Sequence, residues 1–265
     1  MWYISCMPAL LTEHDLKQCW RLPFCYICGE AFQPDATKNR DHVPPNAIFA
    51  KEDQSPPLIL PTHPSCNDAN SLTDEQIGQL VAVRHGKYPT IRNLKLKLSA
   101  HQVPGSDKPA AIVEGFPFRR IVFRWLRAFH AALYEQYLPS CGGYIHPPFP
   151  EGDCPTDLSP IHPIQLEYIK TIKKNRVSNT IDRIICRDGK CRYDCVWVRA
   201  DNGMPMCVFA LDLYDWQQLG DTHHHPSRSC VGIYAPAGGI PPRASCDTKL
   251  EFPFSNRNIL DAFGD

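Results

Sequence analysis

Apolar positions recur at helical spacing in three stretches of the chain. Residues 116–138 give the clearest one. Phe118, Ile121, Val122, Trp125, Leu126, Phe129 and Leu133 share a face, and Arg120, Arg124 and Arg127 fall opposite it, towards solvent. Residues 8–20 predict a shorter helix with Leu10, Leu11, Leu16 and Trp20 available for its buried side. Ser71, followed by Thr73-Asp74-Glu75, has the spacing of an N-cap and its acidic partner. It predicts a helix with Ile77, Leu80 and Val81 on one face and Gly86 as its stop. Leu58-Ile59-Leu60 and the alternation of Leu94, Leu96 and Leu98 with lysines predict strands. Residues 180–213 read as a β-meander with turns at Asp188-Gly189 and Asn202-Gly203. The first turn sets Cys186 across from Cys191, as a thiol pair on a strand surface. Residues 141–163, rich in Pro and Gly, predict a loop, as do the three histidines at 223–225.

Helices mixed with antiparallel strands predict an α+β protein. A chain of 265 residues allows one large domain or two modest ones with a real core. No apolar run approaches the roughly 20 residues needed to cross a bilayer. The opening Met1-Trp2-Tyr3-Ile4-Ser5 lacks the basic and apolar regions of a secretion signal. A soluble, cytoplasmic protein without membrane association is the expectation. Thirteen cysteines at irregular spacing argue for reduced thiols, some of them on a metal, rather than a disulfide framework.

Charge changes the picture once it is divided along the chain. The formal net charge is zero, yet residues 1–75 carry five Lys/Arg against ten Asp/Glu, residues 84–128 ten against two, and residues 201–265 four against eight. The cationic stretch follows a cysteine-rich one, where it can grip a polyanion; a solvated cationic face accounts equally well for any single residue in it. Arg84, Lys87, Arg120, Arg124 and Arg127 are its candidates for contact with nucleic acid.

The chemistry concentrates between residues 24 and 75. Cys25 and Cys28 bracket two residues, and His63 and Cys66 repeat that spacing after 34 intervening positions. Two such pairs aim four soft donors at one ion. Zinc takes tetrahedral sulfur and nitrogen sites, and four protein ligands leave it no open position. The expectation is therefore a structural Zn²⁺ that holds the ends of a proline-rich loop together. Between the pairs stands Asp41-His42-Val43-Pro44-Pro45, whose prolines force the chain out of any helix. Asn67 directly follows the last donor. A histidine of near-neutral pKa suits activation of water, and oxygen donors suit a hard divalent cation. Cys6 and Cys19, without partners at this spacing, read as packed thiols.

This order of residues resembles the HNH endonucleases, whose small ββα-metal finger cuts phosphodiester bonds. The resemblance covers residues 25–75, about a fifth of the chain. It implies strand, loop, strand and helix in that order, with His42 as general base. It implies Asp41 and Asn67 as holders of a catalytic Mg²⁺ or Mn²⁺; Asn70 is a further candidate, equally suited to capping the helix. It also implies DNA as substrate, RNA not being excluded, and a setting such as phage defence with an oligomer or a defence-system partner. Two departures stand out. His63 occupies a position usually held by cysteine, and the family's central Asn has no counterpart in residues 53–58, which leaves Gln54 or a backbone carbonyl to hold the His42 ring. The alternative is a non-catalytic zinc-finger module that binds nucleic acid or a protein. The expected organisation is a lead-in (1–23), the finger (24–86), a basic arm and linker (87–115), a C-terminal α+β domain (116–240) and a tail (241–265).

Overall fold

The lead-in is not one helix. Strand β1 (Ala9–Leu10) comes first, and helix α1 (Glu13–Gln18) starts only at Thr12, where a capping box with Asp15 satisfies the free N–H groups. The computed structural model describes residues 8–84, 96–102, 109–114, 116–139, 142–146, 163–178, 180–199, 203–213, 229–244 and 246–251. Gly86, Lys87 and the histidines at 223–225 lie outside the described residues.

The finger region follows. Strands β2 (Asn39–His42) and β3 (Ile59–Thr62) pair antiparallel, with Asp41 opposite Leu60 and His42 opposite Ile59. A short helix, α2 (Pro64–Asp68), and a longer one, α3 (Ser71–Arg84), come next. Ser71 is the first residue of α3 rather than its cap, and its hydroxyl donates to the Asp68 carbonyl at 2.9 Å. Ile77 is buried as the apolar pattern predicts. Gly78 lets α3 approach the proline-rich loop closely, since a Cβ there would lie 2.6 Å from the Ala47 Cβ. The basic arm carries a hairpin of β4 (Lys97–Gln102) and β5 (Pro109–Glu114), of which only the first strand was signalled by alternation.

Helix α4 (Phe118–Tyr134) packs most of its apolar residues into the main core cluster. Its predicted apolar face is buried apart from the half-buried Phe118, but the opposite side is not free: Arg124 is only 7% exposed. Strand β6 (Gly142–His146) and helix α5 (Pro163–Ser178) follow, the strand inside a stretch expected to be loop and the helix unforeseen. The meander appears as β7 (Asp182–Cys186), β8 (Cys191–Arg199) and β9 (Pro205–Leu213), in the predicted register with Cys186 opposite Cys191. Both thiols are buried, not on a surface. Strands β10 (Ser229–Ala235) and β11 (Cys246–Glu251) complete the described elements.

Among the described residues these strands form a seven-stranded sheet of order β1-β7-β8-β9-β10-β6, and β11 joins β8 beyond the end of β7. β1 runs parallel to β7, which ties the lead-in to the large sheet. One apolar cluster contains Leu22 of the lead-in, Tyr26, Leu58 and Leu60 of the finger region, Trp125 and Phe129 of α4, and Tyr193 and Phe209 of the sheet. The fold is thus mixed α+β with a core continuous from finger to sheet. The other sheet face packs on α5 through Tyr168 and Ile172. Arg176 of α5 reaches the buried Asp194 at 2.5 Å, alongside Arg183 and Arg192. No helix among the described residues is long and apolar enough to cross a membrane.

Candidate metal centre and its surroundings

Cys25 and Cys28 sit on a tight knuckle. The Cys25 amide donates to Glu30 at 2.9 Å and the Gly29 amide donates to Cys25 at 2.8 Å, so the chain folds back and aims both sulfurs one way. Gly29 closes the turn at φ +84°, and the Tyr137 ring leaves no room for a Cβ there. Across from the knuckle, His63 precedes α2 and Cys66 lies in its first turn, with Pro64 starting the helix. The four donor atoms of Cys25, Cys28, His63 and Cys66 all lie within 4.8 Å of one another, and Cys28 Sγ is 3.4 Å from His63 Nδ1.

This set fits a tetrahedral soft ion such as zinc, whose bonds of roughly 2.3 Å to sulfur need only a small further approach of the donors. Burial, with the nearby Cys25 and Cys28 sulfurs, pushes the Cys66 thiol up to about 12. Burial likewise raises Cys28. A divalent ion relieves that crowding, because it binds thiolates and offsets their charge.

The residues expected to do chemistry are distributed differently. Neighbouring residues of a strand project to opposite faces. Asp41 points inward and is buried, its Oδ2 accepting a hydrogen bond from the Tyr26 hydroxyl. His42 lies on the other face of β2 and is half-buried. Burial and the charges of Arg187 and Arg40 hold its pKa below the usual histidine value, against the pull of Asp41. The imidazole is therefore neutral at neutral pH. Asn67 lies half-buried in α2, which packs against β2. Asn70 donates from Nδ2 to the Cys66 carbonyl at 2.8 Å, a bond that finishes the short helix.

Asp41 belongs instead to a buried polar cluster. Tyr26 comes from the middle of the knuckle, Asp41 from β2, Asp74 from α3 and Arg124 from α4. The Arg124 guanidinium donates to Asp74 and interacts with Asp41 through charge. These neighbours raise the Arg124 pKa, although its burial acts the other way. Burial raises both carboxyls, that of Asp74 to about 6, with Arg124 opposing. A guanidinium and a phenol already engage Asp41, and His42 faces away. Among the described residues, the cluster of three or more His, Cys, Asp or Glu donors is that of Cys25, Cys28, His63 and Cys66, so a site for Mg²⁺ or Mn²⁺ at Asp41 and Asn67 finds no support there.

Two residues that sequence patterns did not single out matter here. Tyr26 gave no signal beyond its place between two ligands. Arg187 is fully buried at the β7–β8 turn, with φ +58°, and enters the proline-rich loop. It donates to the carbonyls of Gln54 and Pro44 and to Asn46 Oδ1, and its guanidinium lies 4.9 Å from the Phe49 ring centre. Gln54 donates to Asn46 and Phe49 carbonyls at 3.3 Å, so it braces the loop. Among the nucleic-acid candidates, Arg120 is exposed, Arg127 is half-buried and Arg124 is buried, while Arg84 ends α3.

No family model matches the chain, and searches of curated proteins and of solved structures found no match either.

Proposed function

We propose that this chain is a nucleic-acid hydrolase of the HNH kind, stapled by zinc at Cys25, Cys28, His63 and Cys66, with His42 as general base. The observation that carries the reading is the convergence of those four donors around a strand–loop–strand–helix unit. It supports a single rigid unit carrying His42 on β2 and Asn67 on α2. A neutral, half-buried imidazole is suited to take a proton from water. The scissile bond is phosphodiester, and DNA is the proposed substrate.

A second reading is a zinc-stapled module that binds nucleic acid without cutting it. The engagement of Asp41 by Tyr26 and Arg124, on the face away from His42, favours this reading. One experiment separates the two. Purified protein is incubated with plasmid, single-stranded DNA and RNA, with Mg²⁺, Mn²⁺ or neither, beside His42→Ala. Cleavage by the wild type that His42→Ala lowers at least about 100-fold supports the hydrolase. Binding without cleavage under every condition supports the module.

A further inference from the structure

Arg120, Arg124 and Arg127 stand at i, i+4 and i+7 along α4, so their guanidiniums share one face. That face overlooks the knuckle and α2, and a pocket of about 400 Å³ opens between them. The three arginines line it together with Ser65, Cys66 and Asn70, and no carboxylate is among the described residues of its wall. Arg127 Nη1 donates to the Ile27 carbonyl at 3.4 Å, which anchors it to the knuckle. Arg124 is held by Asp74, and its Nε and Nη1 are buried without a hydrogen-bond partner among the described residues, so Arg120 and Arg127 are the more open cations of the wall.

A second, shallower concavity adjoins this pocket and shares Arg120 and Phe123 with it. Phe116 and Phe118 complete its aromatic floor. Arg119 lies 5.7 Å from the Phe123 ring centre and donates to the Gly143 carbonyl at 2.8 Å, which fixes that edge. Guanidinium and phenyl groups therefore stand side by side along the first half of α4 and just before it.

We propose that the arginine pocket binds a phosphate of a single-stranded nucleic acid and that the phenyl floor stacks an adjoining base. A wall whose cations are guanidiniums selects an anion, and their planar forks match phosphate oxygens. The adjacent rings supply what a free phosphate does not use, a face for an unpaired base. A duplex keeps its base faces stacked and cannot offer them. Removing zinc would loosen this wall as well, because Cys66 belongs to both the pocket and the metal cluster. The inference rests on the reading that the chain engages nucleic acid, and does not require His42 to act as a base.

The test is fluorescence anisotropy with the full-length, zinc-loaded His42→Ala protein, no other divalent ion, and a labelled deoxythymidine oligomer of about 12 nucleotides. Arg120 is exposed, so Arg120→Glu leaves the fold intact, as circular dichroism and zinc content will show. It is expected to weaken binding at least tenfold, and Arg127→Ala several-fold. Each lost phosphate contact is expected to reduce the slope of log affinity against log salt by about 0.7. Inorganic phosphate should compete only weakly, and Phe118→Ala should weaken the oligomer without altering that competition. Wild-type affinity in both arginine variants would overturn the proposal, as would equal affinity for the duplex or competition by phosphate as effective as by the oligomer. A chain that binds through these arginines and never cuts would sink the hydrolase reading alone. A chain that cuts, while Arg120→Glu changes neither binding nor KM, would sink the pocket alone.

Discussion

Arg187 donates from Nη2 to the carbonyl of Pro44 at 3.1 Å, joining the β7–β8 turn to the loop that begins just after His42. Arg187→Gln would leave buried carbonyls on that loop without their donor. Urea denaturation is expected to show a loss of about 2–4 kcal/mol. The same change removes a cation that holds the His42 pKa down. Its imidazole, followed by NMR, should titrate at higher pH than in the wild type. An unchanged titration would mean that the loop contact is purely structural.

Burial, and then Arg187, lowers the His42 pKa from the 6.5 of an ordinary histidine. A general base works in its neutral form, so the acid limb of cleavage should lie at lower pH than an ordinary histidine would give. A profile of rate against pH with its acid limb above 6.5 would point to some other group.

Cys66→Ser should remove one of four donors and with it most of the bound zinc, which elemental analysis reads directly. The wild type should hold one zinc per cluster. Loss of the staple, by chelator or by this substitution, is expected to lower Tm by about 5–10 °C.

Asp74 carries a pKa of about 6 against an ordinary 3.8, because burial outweighs the help of Arg124. A carboxyl raised by folding favours the folded state when protonated. Its contribution is full below pH 3.8 and is lost as pH rises through about 6. Asp41 adds a change of the same sign. Asp74→Asn should flatten the fall in stability between those limits, measured by denaturation across a pH series.

Gly29 combines φ +84° with a Tyr137 ring atom 2.6 Å from where a Cβ would stand. Gly29→Ala should therefore cost at least about 2 kcal/mol and reduce zinc retention, since the turn it closes aims Cys25 and Cys28.

Local pattern alone determined a good part of this molecule. The paired spacings of Cys25, Cys28, His63 and Cys66 named the cluster that the fold assembles. A 3.6-residue apolar period located α4, and a two-residue turn signal placed Cys186 opposite Cys191. Such features depend on neighbours a few residues apart, and period and turn chemistry report them. Helix α5 escaped because its described buried side chains, Tyr168, Ile172 and Asn175, do not make a broad apolar face. Tertiary structure alone decided what the charged residues do. Arg124 meets Asp74 across 50 positions, and Arg187 meets Pro44 across 143. No periodicity records contacts at such separations. Once buried, a charge takes whichever partner the packed elements bring to it, because leaving it unpaired costs more than any local preference supplies. That is why Asp41, for which the resemblance implied a metal ligand, accepts a hydrogen bond from Tyr26 and lies in the field of Arg124 in the folded chain.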